Sequence, residues 1–153
     1  MKEVSLAIAL ALTLGSGSAF AAVPTCGGTA VLTGTGMATE VKGYMVCVGS
    51  AGAWDNQEFH QTSGTIQDYK KGPLDPLDPT KTIGTYSINA NSTVGVSTSH
   101  DTISYTYGSE NVGPFMVAVS SGTLYFCDDA AGVHAALFTA KREGNGTAIS
   151  GCV

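Results

Sequence analysis

Between Thr82 and Cys127 apolar residues fall at every second position, in short runs parted by Gly, Asn and Ser. Gly84, Tyr86 and Ile88 share one face. Asn89 to Ser92 reads as a turn, after which Val94 and Val96 continue the alternation. Ile103, Tyr105 and Tyr107 form the next run, ended by Gly108-Ser109. Phe115, Val117 and Val119 follow, with Ser120-Ser121-Gly122 as a hairpin turn before Leu124 and Phe126. A period of two places alternate side chains on opposite faces of a strand, so each run predicts a strand with one apolar face. Turns at intervals of about 8 to 12 residues predict an antiparallel meander. A flat meander would leave bare edges and a bare face. The expected fold is therefore all-β, a meander closed into a small barrel of up to about eight strands, with a β-sandwich as the alternative.

The flanks fit the same scheme less regularly. Lys42 to Val48 predicts a strand with Tyr44, Val46 and Val48 on one side and Met45 and Cys47 on the other. Gln57 to Thr62 and Gly64 to Tyr69 predict two strands, or one bent strand. Pro73, Pro76 and Pro79 exclude sheet pairing from Lys71 to Thr80 and predict a stiff surface connector. Cys26 to Gly36, rich in Gly and Thr, reads as an edge strand or an irregular segment. Val133 to Lys141 predicts a last long strand, although Val133 to Phe138 also suits a short helix. Gly144 to Thr147 turns before Ile149 to Cys152.

Residues 1–21 have the features of a signal peptide: Lys2, the apolar run Leu6 to Leu14, and Ala19-Phe20-Ala21 as a cleavage pattern. The expectation is a secreted or periplasmic protein whose single β domain spans 22–153. No apolar run reaches the roughly 20 residues of a membrane-spanning helix. The full chain has a net charge of −5, and losing Lys2 with Glu3 leaves it unchanged. That balance argues against nucleic acid or an anionic membrane as partner, since both require clustered Lys and Arg. Cys26, Cys47, Cys127 and Cys152 all follow the leader, an even number that predicts two disulfides with three possible pairings. Cys26–Cys47 and Cys127–Cys152 would be local. The other two pairings would tie the chain ends together.

Chemistry-bearing side chains concentrate between Trp54 and Pro79. Trp54 with Phe59 suits either a stacking platform for a ligand or a plug at one end of the barrel. Glu58 and His60 are two apart and so share a strand face. With Asp68 they suggest an acid/base or metal group, or simply a polar strand face. His100-Asp101, and Asp128-Asp129 near His134, are further polar pairs without a recognised ligand spacing. The Asp75-Pro76 and Asp78-Pro79 repeat lacks the oxygen-donor spacing of a calcium loop. Asn91-Ser92-Thr93 and Asn145-Gly146-Thr147 match the glycosylation sequon. No nucleophile elbow is present, and no cofactor is expected.

The blocks WDNQEFH from Trp54, DYKKGPLDPLDPT from Asp68, GTYS from Gly84, SYTYG from Ser104 and GTLYFC from Gly122 resemble an uncharacterised family of small exported bacterial proteins. That resemblance implies export and no particular activity. A second resemblance is to lipocalin-like and avidin-like barrels, through Gly84-Thr85-Tyr86, with tyrosine where those barrels have tryptophan and in mid-chain, not near the start. It implies a ligand pocket; the residues themselves offer Trp54, Glu58, Phe59, His60, Asp68, Tyr86, Tyr105 and Tyr107 as candidate contacts. The expected function is non-catalytic binding of a small molecule or a protein partner. A subunit of an extracellular filament or surface layer, hence a homo-oligomer, is the first alternative, and a metal- or acid/base-dependent hydrolase the second.

Overall fold

The computed structural model describes residues 25–26, 29–51, 53–70, 74–77, 81–93, 99–128, 136–143 and 152. The expected signal peptide, Asp78, Pro79, Val94, Val96, Asp129, His134 and the 144–151 segment lie outside them.

The fold is all-β, as the alternation predicts. Two short strands, β1 (Thr25–Cys26) and β2 (Thr29–Ala30), pair with each other. A helix α1 (Gly34–Val41) follows. The main sheet is antiparallel: β3 (Tyr44–Ser50), β4 (Ala53–His60), β5 (Thr65–Lys70), β6 (Lys81–Thr93), β7 (Ser99–Tyr107), β8 (Glu110–Ser120), β9 (Thr123–Cys127) and β10 (Ala136–Glu143). Each strand pairs with the next in sequence, and β10 also pairs with β3, Ala140 opposite Val48 and Glu143 opposite Met45. The pairing thus runs full circle, which is how a meander removes its edges.

Several expectations are met at the level of single faces. Val46, Ile66, Tyr86, Ile103, Tyr105, Phe115, Val117, Leu124 and Phe126 all turn into one core inside the barrel. The turn at Ser121-Gly122 has φ of 49° and 78°, which suits a tight hairpin. Gly84 is needed for close approach: a Cβ there would sit 2.4 Å from the Thr106 carbonyl oxygen. Leu74 to Leu77 carry no strand, and Leu74 and Leu77 stand exposed. The described part of the 133–141 segment is strand, β10.

Two expectations are corrected, and one open alternative is resolved. Residues 34–41, read partly as edge strand or irregular chain, form α1. The Thr33 side chain accepts from the Gly36 N–H as N-cap, and the helix buries Met37 and Val41, one turn apart, in the barrel core. The turn expected at Asn89 to Ser92 is a bulge within β6: the register with β7 shifts between Asn89 and Ser92, and Asn91 takes φ of 53°. Of the three disulfide pairings left open, the structure has one that ties the chain ends together, Cys26–Cys127 with Cys47–Cys152.

Those bridges fasten two covers onto the outer wall. On β8 and β9, Cys26 packs with Met116, Ala118 and Cys127, flanked by Val31, which bridges to Ala118. On β3 and β4, Met45, Cys47, Trp54 and Phe59 form a second cluster, with Cys152 and Tyr69 against it. The Cys152 N–H donates to Gln57 Oε1 at 2.8 Å. Here the sheet is buried on both faces.

Candidate functional site

The barrel interior is filled at one end and hollow at the other. At the filled end α1 lies against β3, β6 and β7. Its first turn is held by Asp101 of β7, whose carboxylate accepts from the Gly34 N–H at 2.6 Å and, through its other oxygen, from the Asn91 N–H at 3.1 Å. A carboxylate there satisfies orphan donors and complements the helix dipole. Asp101 is therefore an architectural residue. Where α1 ends, the Gly43 N–H donates to the His60 carbonyl at 2.6 Å.

At the other end a cavity of about 650 Å³ opens between the start of β6 and the β7–β8 turn. Val46, Val48, Val112, Phe115 and Phe126 give it apolar walls. Asn56, Glu58, His60, Tyr105 and Tyr107 supply the polar groups, while Lys81, Thr82 and Glu110 stand at the exposed mouth.

Strand period explains this selection. Asn56, Glu58 and His60 alternate with Gln57 and Phe59 along β4, so the first three face the lumen and the latter two the outer wall. The expectation that Glu58 and His60 share a face is met. Asp68 on β5 is in register with Glu58 and is buried, so the two carboxyls stand side by side on neighbouring strands.

The electrostatics follow from burial. The Tyr107 hydroxyl donates to Glu58 Oε2 at 2.7 Å. Desolvation still pushes the Glu58 carboxyl above its usual range, against the Tyr107 bond and with help from Asp68. His60 is 1% exposed, and burial lowers its pKa to about 3, the Glu58 backbone offsetting this in part. The Glu58 backbone lies near the ring, but neither ring nitrogen makes a hydrogen bond of ordinary geometry. Its ring sits edge-on to Tyr86 and Tyr105, with centroids at 5.0 and 5.5 Å. The Tyr105 hydroxyl is likewise buried without a partner, and burial beside Glu58 pushes its pKa up. Tyr107 is pushed up for the same reasons. The Tyr86 hydroxyl, raised to about 12 by burial, donates to the Gln61 carbonyl at 2.5 Å and does not line the cavity.

Of the eight candidate contacts, the structure therefore brings Glu58, His60, Tyr105 and Tyr107 together in the lumen wall. Tyr86, packed on His60, and Asp68, in register with Glu58, adjoin them without lining the cavity. Trp54 and Phe59 do not join: they belong to the outer cluster with Met45 and Cys47, so Trp54 is neither a plug at the barrel end nor a platform in the pocket. Its Nε1 is buried there without a partner. Phe115 and Phe126 are readable in the sequence as strand positions on an apolar face but not as pocket walls, and Val112 falls outside the alternating runs. Among the described residues, no three His, Cys, Asp or Glu side chains are grouped to hold a metal ion. Also among them, no helix is long and apolar enough to cross a membrane.

No family model, curated protein or solved structure matches this chain.

Proposed function

We propose that this chain is an exported binding protein, of the small bacterial kind its sequence blocks resemble, that takes a small and largely apolar molecule into its barrel. The carrying observation is the open cavity of about 650 Å³, walled by Val46, Val48, Val112, Phe115 and Phe126 with a few polar groups in its wall. Small-molecule sites fall at roughly 300–1,000 Å³ and have this composition, an apolar lining with a few placed polar groups. Two disulfides suit an oxidising compartment outside the cytoplasm.

Binding is favoured over hydrolysis because burial lowers the His60 pKa to about 3, which makes the ring a weak proton acceptor at neutral pH. It is favoured over filament assembly because the eight barrel strands pair on both sides, leaving no edge in that sheet to receive a neighbour's strand. The test is titration of the oxidised protein with the neutral fluorophore N-phenyl-1-naphthylamine, beside a Val112→Trp variant that fills the lumen. Saturable one-to-one binding, weakened at least about tenfold in a variant with an unchanged far-ultraviolet spectrum, is expected. Absence of saturable binding, or equal binding by the folded variant, would overturn the reading. Tryptophan emission is a poor reporter, because Trp54 lies on the outer wall.

A further inference from the structure

Two lumen groups have hydrogen-bonding capacity that the protein does not use. His60 is 1% exposed, with Nδ1 and Nε2 both unpartnered, and Tyr105 is 5% exposed, with its hydroxyl unpartnered. Both line the same cavity, their rings in contact at 5.5 Å. Such groups destabilise the protein when left dry, so a ligand that satisfies them gains by it. Together they present an O–H, an imidazole N–H and an imidazole lone pair.

The surrounding charges restrict what satisfies them. Glu58 on β4 and Asp68 on β5 face the region from one side, and Lys81 and Glu110 stand at the mouth. An anion would be driven off by the two carboxyls. For a cation, the lumen carboxylate Glu58 is already engaged by the Tyr107 hydroxyl at 2.7 Å, and the entrance carries Lys81. Tyr105 and His60 offer donors, which call for an acceptor.

Resting on the binding role proposed above, we infer that the ligand is uncharged: an apolar body bearing a carbonyl or hydroxyl oxygen that the Tyr105 hydroxyl and the His60 imidazole hold within the barrel. The apolar body lies against Val46, Phe115 and Phe126, and the oxygen sets its orientation.

Four probes of one shape separate the possibilities: naphthalene, 2-acetylnaphthalene, 2-naphthoate and 2-naphthylmethylammonium, each competing with N-phenyl-1-naphthylamine. The ketone should bind about tenfold more tightly than the hydrocarbon and more tightly than either ion. Tyr105→Phe should weaken the ketone about five- to tenfold and leave naphthalene unchanged, the loss expected for one hydrogen bond. Equal affinity for ketone and hydrocarbon, tightest binding of either ion, or an equal loss for all probes in the variant would overturn this ligand class while leaving the cavity as a binding site. Failure of the fluorophore itself to bind would overturn the binding role and this inference with it. The wild-type ranking alone decides the ligand class should Tyr105→Phe fail to fold.

Discussion

Between pH 6.5 and about 3, His60 stays neutral in the folded protein while the same residue in the unfolded chain takes up a proton. The unfolded state then binds more protons, so stability falls as pH falls through this window, by up to about 1.4 kcal/mol per pH unit. Above pH 6.5 the contribution is complete. Glu58 acts in the opposite sense: its folded pKa is raised, so its contribution is present below the ordinary value of 4.5 and is lost as pH rises. Urea unfolding of wild type and His60→Phe at pH 7, 6, 5 and 4 separates the two. Wild type should lose roughly 2 kcal/mol more than the variant between pH 6.5 and 4.5. Parallel curves would show that His60 gains its proton without unfolding. The sequence announced the shared face of Glu58 and His60, because a spacing of two is enough for that. It could not announce the missing partners, which depend on Tyr86 and Tyr105 closing over the ring from β6 and β7.

At the level of elements, α1 is the part least visible in advance. Gly34 and Gly36 lower helix propensity by about 1 kcal/mol each relative to Ala, and only Thr33 as cap and the Met37/Val41 spacing speak for a helix. What makes the helix form is tertiary: the apolar end of the barrel needs a lid, and Asp101 receives the first turn. Met37→Ala should therefore lower unfolding free energy by about 2–5 kcal/mol. Thr35→Ala, at an exposed position of the same helix, should stay within about 0.5 kcal/mol. Urea midpoints measure both, and a Met37→Ala midpoint equal to wild type would mean that α1 does not close the barrel. The β6 bulge escaped notice for a related reason. Asn-Ser is ordinary turn chemistry, and only the partner strand β7 shows that pairing resumes at Ser92 and His100.

For the molecule as a whole, the meander was readable because most strands are apolar on one face only. Reading failed where both faces are covered. Along β3 and β4, Met45, Cys47, Trp54 and Phe59 are as buried as the lumen residues beside them, so hydrophobicity no longer tells inside from outside. The cover that buries them comes from Cys152, a contact about a hundred residues away in sequence. Disulfide pairing was undetermined for the same reason. Non-reducing peptide mapping should recover Cys26–Cys127 and Cys47–Cys152, and a local pair would contradict the fold. The bridges span 101 and 105 residues, loops for which the chain-entropy description gives about 4–5 kcal/mol each. Replacing both cysteines of either pair by Ser should lower the urea midpoint accordingly, and an unchanged midpoint would remove the bridges from the account of stability.

Ring closure also sets an order on biosynthesis. A nascent chain that has emerged through β9 still lacks β10, the strand that joins β9 to β3, and lacks Cys152, the partner of Cys47. Until β10 and Cys152 are available the ring stays open, and the native barrel cannot form.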